Sequence, residues 1–510
     1  MVVVSITPEI AIEGLRTYAG GLGVLEADKF YAAGDMLLDY LVLTLFYRHG
    51  YVSLAFNGDK VLVGPERHER SSLESLTIED ELKVTLRGED VYVRPLVYRR
   101  GTAKAVFFDV TCPKWAREIV DKVYQERTFE ETFLAYALLA KASANYIRDF
   151  VGVENVVRVD LEESFTSLFL LAMPELRDRA RLVIHTPGPW GHPVFPSSFI
   201  AREFGIFLDH DVNLTEYALS QVGEAIVVSQ KQRDVLSKVF PAHAQKLRPI
   251  TNGIHLGRWM NERLRAAVER GGPSLEELKA ARQEARSRLL SMLRSYKEVA
   301  AEDLPIVSWT RRLARYKRPY FLVRFIEENP DVNAIFVLGG KPHPNDADGM
   351  DYARSFRRLH TTFNKVIFVH DYDVERAKLI HAGSDIELFT PFSGWEACGT
   401  SYMKAMANGV PVISSRDGGA IELIEDWKNG WLFGEDIRDF INIYTDPRAK
   451  QVDERDYAEF KDKLLKVLEL YEADRERYWQ ISLEALRSSV GRVDSKRMMR
   501  EYYLEMVARK

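Results

Sequence analysis

The stretch WEACGTSYMKAMANGVPVISSRDGGAIE, residues 395–422, has the pattern of a short loop, a helix and a buried strand. Small residues and hydroxyl groups stand where the helix should begin, and Asn408-Gly409 is a typical helix stop before an apolar run. A helix start has free backbone N–H groups, which suit an anion such as a phosphate. Lys404 follows one turn later. The spacing alone leaves it open whether this lysine serves the anion or is a solvated lysine on the helix face.

The motif within this stretch points to a family. EACGTSYMK, residues 396–404, resembles the E-A-S-G-T-x-x-M-K signature of α-glucan phosphorylases, which include glycogen, starch and maltodextrin phosphorylases. In that family the closing lysine holds pyridoxal phosphate covalently. The resemblance therefore implies that Lys404 does so here, with Gly399 and Thr400 beside the cofactor and Glu396 on the sugar. Sugar-nucleotide glycosyltransferases of the same architecture have E-x7-E at this spacing, and a glutamate cannot form that bond.

Composition limits the classes of partner. The 510 residues, 46% of them hydrophobic, are enough for two large domains. The chain has 70 Lys and Arg residues and 75 Asp and Glu residues, which gives a net charge of -5. This charge does not attract nucleic acid or an acidic membrane, so we expect a neutral polymer partner such as a glucan. No apolar run is long enough for a membrane span, and the first residues lack signal-peptide features. We expect a soluble, unprocessed, cytoplasmic protein; one bridge between Cys112 and Cys398 stays open.

Strands alternate with helix-length segments along most of the chain. VVVS, VVRVDLEES, RLVIH and EAIVVS in the first half, and IVSW, NAIFVL, VIFVH, IELFT and PVIS in the second, predict two parallel sheets with ligands at the strands' carboxyl ends. Alternating runs at about 51–111 predict an antiparallel β insertion. We therefore expect an α/β protein of two Rossmann-like doubly wound domains facing a cleft, the GT-B glycosyltransferase architecture. The domains are 1–257 and 258–475, and helices at 476–510 cross back to the first.

Three motifs of the first half extend the resemblance. YAGGLGVLEADKFYAAGD, residues 18–35, resembles Y-S-G-G-L-G-V-L-A-G-D, which implies that Gly20 and Gly21 approach the sugar and that Gly21 also serves the cofactor. HTPGPWGHPVF resembles H-T-P-x-P-A-G-H-x-x-F, where the histidine matching His185 offers its carbonyl to the anomeric carbon. TNGIHLGRW resembles T-N-G-V-H-x-x-x-W, where the asparagine matching Asn252 binds the glucose 6-hydroxyl.

One motif departs from the family. Where relatives have L-N-E-G-H, residues 161–165 read LEESF, so the asparagine and the histidine are replaced by Glu162 and Phe165. These positions line the substrate cleft in relatives. We expect altered sugar discrimination.

Cations follow the first strand of the second half. TRRLARYKR, residues 310–318, resembles the phosphate clamp of the family and implies that Arg312 and Lys317 hold phosphate. Nucleotide-sugar transferases share this spacing, so it does not choose between the reactions. GGKPHPND, residues 339–346, implies a further charge at Lys341, and the family's D-Y-D motif puts Tyr372 near the cofactor. A histidine next to Asn and Asp without a third spaced ligand predicts no metal site.

These motifs imply reversible phosphorolysis of α-1,4-glucans to glucose 1-phosphate with pyridoxal 5'-phosphate. Glucan and inorganic phosphate are the expected partners, and a homo-oligomer stays open. The alternative is a retaining glycosyltransferase of the glycogen synthase type that uses ADP- or UDP-glucose, because residues 407–433 resemble those enzymes more closely. An inactive glucan-binding protein is disfavoured because the lysine, the glycine loop and the cations are all present.

Overall fold

The computed structural model describes residues 1–58, 60–299 and 303–504, and these form two compact units. The first unit comprises Met1–Tyr51, Pro65–Thr251 and the described residues from Met498 onward. The second comprises Val52–Gly64 and Asn252–Arg497, so the chain changes unit six residues before the predicted boundary at 257. The end of the predicted C-terminal segment, residues 505–510, lies outside the described residues.

The strands of the described residues are, in chain order, β1 Val2–Ile6, β2 Tyr40–Leu45, β3 Ser53–Asn57, β4 Lys60–Gly64, β5 Thr77–Ile78, β6 Leu82–Leu86, β7 Glu89–Arg100, β8 Ala103–Cys112, β9 Val156–Glu162, β10 Ala180–Ile184, β11 Val194–Phe195, β12 Val212–Asn213, β13 Ala225–Val227, β14 Leu247–Pro249, β15 Ile306–Thr310, β16 Ile335–Gly339, β17 Val366–Val369, β18 Ile386–Phe389, β19 Val412–Ser415 and β20 Trp431–Phe433.

The helices of the same residues are α1 Gly21–Asp35, α2 Arg70–Glu74, α3 Lys114–Ile119, α4 Phe129–Tyr146, α5 Phe169–Ala172, α6 Ser197–Phe204, α7 Leu214–Gln221, α8 Gln230–Val239, α9 Leu256–Trp259, α10 Glu262–Glu269, α11 Leu275–Leu293, α12 Pro319–Glu328, α13 Ala347–Thr362, α14 Val374–Gly383, α15 Ser401–Ala407, α16 Ala420–Leu423, α17 Arg448–Ala473, α18 Arg475–Val493 and α19 Ser495–Tyr502.

The first unit is built on one mixed sheet with the order β14-β13-β10-β9-β1-β2-β8-β7-β5, and β6 pairs with β7. From β14 to β8 every neighbouring pair is parallel. The predicted parallel strands are therefore confirmed. Central β1 reads VVVSI and is almost wholly buried, as expected of a strand covered on both faces.

The segment predicted as an antiparallel insertion is divided among three structures. β5, β6 and β7 are antiparallel as predicted, but β8 pairs parallel with β2 and so continues the main sheet. β3 and β4 form a separate hairpin that belongs to the second unit. Alternating apolar residues indicate which face of a strand is buried, but they carry no information on the partner strand or its direction.

The second unit has a six-stranded parallel sheet with the order β17-β16-β15-β18-β19-β20. Five of these strands match the prediction. The sixth, β20, was not predicted, because a run of three residues gives no periodic signal.

Both faces of this second sheet are buried. Val307 and Trp309 of β15 pack into one apolar cluster with Phe356 and Leu464, whereas their neighbour Ile306 packs into another. Successive side chains of a strand point to opposite faces, so helices must cover both sides. The carboxyl ends of these parallel strands then meet at one edge, where ligands bind in open α/β sheets.

Two of the long helices begin at side-chain caps. The Thr128 side chain accepts a hydrogen bond from the Glu131 N–H at the start of α4. At the start of α11, Ser274 and Glu277 form a reciprocal capping box. Among the described residues, none of the helices is both long and apolar enough to cross a membrane. Cys112 and Cys398 are both free thiols, so the disulfide that the sequence left open is not formed.

Candidate functional site

Two cations meet one carboxylate at the edge of the second sheet. Arg311, directly after β15, donates from Nη2 to Glu396 Oε2 at 2.7 Å. Lys317 Nζ lies 3.3 Å from the same oxygen. Although burial opposes ionisation, these two cations lower the pKa of Glu396 to about 2. Arg311 Nη1 is buried and has no hydrogen-bond partner in the described part of the chain. The cluster thus has donor capacity beyond its own carboxylate.

Lys317 is the titratable cation of this cluster. Burial, followed by the neighbouring Arg311, lowers the pKa of its ammonium to about 7 against the attraction of Glu396. Arg312, the clamp residue predicted from sequence, is exposed and its charge also lowers the pKa of Lys317. The buried arginine at Glu396 is Arg311, which sequence reasoning did not select. An anion that neutralised these charges would favour the protonated lysine.

The loop that carries Glu396 is held by Asp417, which follows β19. One carboxylate oxygen of Asp417 accepts from the Gly394 N–H at 2.7 Å and from the Gly418 N–H at 2.8 Å. The other accepts from the Glu396 N–H at 2.8 Å. Gly418 has φ +54, and a Cβ there would lie 2.5 Å from the Glu396 carbonyl oxygen. The backbone of Glu396 is therefore fixed by a charged acceptor and by close packing.

Lys404 lies in α15, which begins at Ser401 after Thr400, close to the predicted start. The lysine is buried, and its Nζ lies 4.0 Å from the centre of the Trp259 ring. Asn408 donates to the carbonyl oxygens of both Trp259 and Lys404 at 2.9 Å. Asn408 was predicted only as a helix stop, yet it also ties the lysine to the tryptophan.

Several buried polar atoms of the second unit have no hydrogen-bond partner among the described residues. Asn252 donates to the Cys398 carbonyl oxygen at 3.0 Å, but its Oδ1 has no hydrogen-bond partner among the described residues. The same is true of the hydroxyls of Thr310 and Ser401. Buried polar groups in proteins are nearly always satisfied, and those that are not commonly mark a ligand site. Gly399 is also required here, because a Cβ would lie 2.5 Å from the Phe389 ring and 3.0 Å from Arg311 Nη2.

The other predicted residues of this unit lie at neighbouring strand ends. Tyr372 follows β17, and its hydroxyl is 3.5 Å from the Thr310 carbonyl oxygen. Lys341 follows β16, and its carbonyl oxygen accepts from the Leu313 N–H at 3.1 Å. Gly340 has φ +136, and a Cβ there would lie 1.8 Å from the Arg311 carbonyl oxygen. The loop after β16, which carries Lys341, therefore packs closely against the backbone of the loop after β15, which carries Arg311. No group of three metal-ligating side chains occurs among the described residues.

In the first unit, the predicted glycine loop is mostly the first turn of a helix. α1 begins at Gly21, with Gly20 as its N-cap. A Cβ at Gly20 or Gly21 would meet nothing within 4 Å, whereas one at Gly23 would lie 2.6 Å from Tyr18 Cβ. Of these three glycines, only Gly23 is therefore required by packing within the protein. Glu9, which sequence reasoning missed, accepts from the Gly20 N–H at 3.2 Å and fixes this turn.

His185 lies at the carboxyl end of β10, as predicted. Its Nε2 is 2.6 Å from Glu162 Oε2. Glu163 follows β9 with φ +70 and ψ 156, a region that non-glycine residues rarely occupy. Its Oε1 accepts from the Thr186 hydroxyl at 2.5 Å, its Oε2 has no hydrogen-bond partner within the described ranges, and burial raises its pKa. Phe165 stacks on Tyr136 at 4.7 Å, so the position of the family's histidine is occupied by an aromatic packing contact.

These features define an α/β protein with parallel sheets whose strand ends gather cations, a buried lysine and unpaired polar atoms. A family model described as "Carbohydrate phosphorylase" matches residues 357–503. Maltodextrin phosphorylase of Thermococcus litoralis is 25% identical over 96% of this chain and 68% of its own length. Glycogen phosphorylase of Aquifex aeolicus is 26% identical over 85% of this chain and 76% of its own length. "Uncharacterized protein MJ1631" of Methanocaldococcus jannaschii is 24% identical over 97% of both chains. Over most of its length the chain is therefore similar to α-glucan phosphorylases, the family that its motifs resemble.

Proposed function

We propose that this protein catalyses the reversible phosphorolysis of α-1,4-glucans to glucose 1-phosphate with pyridoxal 5'-phosphate held on Lys404. The observation that carries the proposal is the buried Lys404 in α15 at the sheet edge where Arg311 and Lys317 gather. Names of relatives that act on maltodextrin and glycogen support the substrate class. We also propose that each unit is a Rossmann-like domain of the GT-B architecture. The strand order of the second, numbered within its own sheet, is 3-2-1-4-5-6, which is typical of that fold.

Lys404 and the unsatisfied polar groups of the second unit fit the proposed cofactor. The Trp259 ring beside Nζ offers an apolar face for a planar ring. Buried groups without partners among the described residues, the Ser401 and Thr310 hydroxyls and Arg311 Nη1, are suited to hydrogen-bond anionic oxygens. Gly399, Thr400, Tyr372 and Gly21 stay proposed cofactor contacts. When bound, the cofactor supplies a phosphate group that shares a proton with the substrate phosphate.

The chain's own groups have three tasks in such a reaction. Arg311, Arg312 and Lys317 would hold the substrate phosphate and offset repulsion between phosphates at close distance. The oxocarbenium-like transition state of glycoside cleavage needs nearby negative charge, which the held phosphate provides. Glu396 and Asn252 Oδ1 would accept hydrogen bonds from sugar hydroxyls. Lys341, Gly20, Gly21 and His185 stay proposed residues for the phosphate, the sugar and its anomeric carbon.

The substrates that the protein accepts distinguish a phosphorylase from a nucleotide-sugar transferase. With maltodextrin and phosphate the protein should release glucose 1-phosphate, and with glucose 1-phosphate it should lengthen the glucan and release phosphate. ADP-glucose and UDP-glucose should not serve as donors. The products are measured by coupled assay and chromatography. Efficient transfer from a sugar nucleotide, with no phosphorolysis at any phosphate concentration, would establish the alternative enzyme, which the transferase-like residues 407–433 favour.

Lys317 should make anion binding depend on pH. Sulfate is a suitable probe because its charge is constant between pH 6 and 9. Since the pKa of Lys317 is lowered to about 7, the free lysine loses its proton above that pH, and sulfate inhibition should weaken by up to about tenfold per pH unit. In Lys317→Met, inhibition at pH 6 should weaken by roughly 10- to 150-fold, as expected for one charge-assisted contact, and the pH dependence should disappear.

Arg312→Met is the matched variant for this experiment. It removes a neighbouring exposed cation that does not titrate, so sulfate should bind less tightly while its pH dependence remains. Inhibition constants for sulfate against phosphate measure both effects. Wild-type inhibition that is constant from pH 6 to 9 would show that Lys317 does not hold the anion.

We also propose a reducing, cytoplasmic location, because the two cysteines are free thiols.

A further inference from the structure

An exposed tryptophan lies on the loop that follows β10 in the first unit. The loop reads HTPGPWGH, residues 185–192, and Trp190 lies in its short 3₁₀ turn, Pro189–Gly191. The side chain is 45% exposed. The family motif H-T-P-x-P-A-G-H has an alanine at this place, so the tryptophan is a feature of this chain and not of its family.

The indole of Trp190 packs on a glycine. A Cβ at Gly188 would lie 2.1, 2.3 and 2.5 Å from Cη2, Cζ3 and Cζ2 of Trp190. Such similar distances to three bonded ring atoms place Gly188 against the face of the six-membered ring and not at its rim. Only a glycine permits this approach. One face of the indole is thus covered by backbone, and the exposed surface lies on the other.

The loop folds back onto its own beginning. The Gly191 N–H donates to the Gly188 carbonyl oxygen at 3.0 Å. A Cβ at Gly191 would lie only 2.6 Å from Thr186 Cβ. Because Thr186 directly follows His185, this packing brings Trp190 back to the carboxyl end of β10. The indole is therefore held in place before any ligand binds, which lowers the cost of binding.

A buried acceptor next to this loop indicates a ligand site. The Thr186 hydroxyl donates to Glu163 Oε1 at 2.5 Å. Glu163 is 8% exposed, and its Oε2 has no hydrogen-bond partner among the described residues. Buried polar groups are nearly always satisfied, so an unsatisfied one points to a missing partner. A sugar matches these surroundings, because its hydroxyls are donors and the C–H groups on its ring face pack on an aromatic ring.

We propose that Trp190 is a platform on which a glucosyl unit of the glucan, next to the reacting unit, stacks. The anomeric carbon of the reacting unit is assigned to the His185 carbonyl, so the stacked unit is its neighbour in the glucan chain. The identity of the sugar rests on the proposed function, whereas the geometry of the indole does not. A role in packing alone would not require the second face of the ring to stay exposed.

Binding of maltoheptaose to the free protein, measured by calorimetry, tests the platform. Trp190→Ala restores the residue of the family motif and should raise the Kd by about tenfold, the loss of one aromatic stacking contact. Trp190→Phe should retain most of the affinity because it keeps an aromatic face. Trp427→Ala is the matched control, because Trp427 is also exposed but belongs to the second unit, and it should bind maltoheptaose as the wild type does.

Tryptophan fluorescence reports on the same contact. A sugar that covers the exposed face removes water from the indole, so maltoheptaose should shift the emission of the wild type to shorter wavelengths. Trp190→Phe should lose this shift, and it tests the proposal even if Trp190→Ala fails to fold. Equal Kd values in the wild type and a folded Trp190→Ala, an unchanged emission shift in Trp190→Phe, or no binding by the wild type would each overturn the proposal.

Kinetics in the direction of glucan synthesis show which glucosyl unit is stacked. Trp190→Ala should raise the KM for maltoheptaose by about tenfold and leave the KM for glucose 1-phosphate unchanged, because the reacting unit does not touch the platform. Equal rises in both KM values would overturn the assignment to the neighbouring unit. A protein that binds maltoheptaose through Trp190 but shows no phosphorolysis would contradict the proposed function and leave the platform standing.

Discussion

Borohydride reduction of the protein loaded with pyridoxal phosphate should leave the cofactor attached to one residue, Lys404. The lysine is buried against Trp259, where water is largely excluded from the bond. In Lys404→Met the adduct and its absorbance near the visible range should both be lost, and phosphorolysis should fall by at least about a thousandfold, as expected when a group that acts as part of a catalytic unit is removed. Absorbance spectra and peptide mass spectrometry of the reduced protein measure the result.

Lys317 is the competing nucleophile for this adduct. Its pKa is lowered to about 7, so part of it is an unprotonated amine at neutral pH, but its ammonium form is held by Glu396. Lys317→Met is therefore the matched control and should keep the adduct on Lys404. A reduced cofactor found on Lys317, or none on either lysine, would contradict the proposed phosphorylase and favour the transferase.

The strand ends explain why much of the site was predictable. The predicted residues Lys341, Tyr372 and Glu396 follow β16, β17 and β18 by two, three and seven residues. Parallel strands end at one edge, so residues that follow apolar runs in the sequence are brought to one edge of the sheet. The residues that follow the predicted strands therefore predict which side chains meet at the candidate site.

The choice between adjacent residues was not predictable in the same way. Sequence reasoning selected Arg312 for the clamp, but Arg311 is the buried arginine that contacts Glu396 and also stacks 4.0 Å from the centre of the Phe389 ring. Successive side chains at a strand end point in different directions, and only the packing decides which one turns inward. Both arginines fit the same motif.

Hydrogen-bond partners that are distant in sequence could not be predicted from the motifs either. Asp417 holds the backbone of Glu396 from the end of β19, and Glu162 holds His185 from the end of the neighbouring strand β9. Each contact depends on strand order and register, which local patterns do not encode. The departure of residues 161–165 from the family motif was visible, but its consequence, a carboxylate between Lys29 and His185, required the fold.

Replacement of Arg318 should destabilise the second unit by about 3–5 kcal/mol, the cost of breaking a buried ion pair. Arg318 is fully buried, and it donates to the Thr390 and Pro391 carbonyl oxygens at 2.8 Å and to Asp456 at 2.7 Å. In Arg318→Met the two carbonyls and the carboxylate lose their donor, because an apolar side chain of similar length cannot replace it. Chemical denaturation followed by circular dichroism measures the change.

Arg324→Met is the matched control because it lies in α12, the helix that Arg318 caps. Its partners Glu328 and Glu454 are at 2.8 and 2.9 Å, but its side chain is 45% exposed. Exposed pairs contribute little, so the free energy of unfolding should fall by less than about 1 kcal/mol. Equal losses in the two variants would show that burial does not set the strength of the Arg318 contacts.

The same arginine connects stability to the phosphate clamp. Arg318 has φ +53 and follows Lys317 directly, and the Thr390 hydroxyl donates to the Lys317 carbonyl oxygen at 2.8 Å. Arg318 and Thr390 thus join the loop after β15 to the loop after β18, which carry Lys317 and Glu396. Below the denaturation transition, Arg318→Met should therefore weaken sulfate inhibition, whereas Arg324→Met should not. A folded Arg318→Met protein with wild-type sulfate inhibition would show that the clamp is held by its own charges alone.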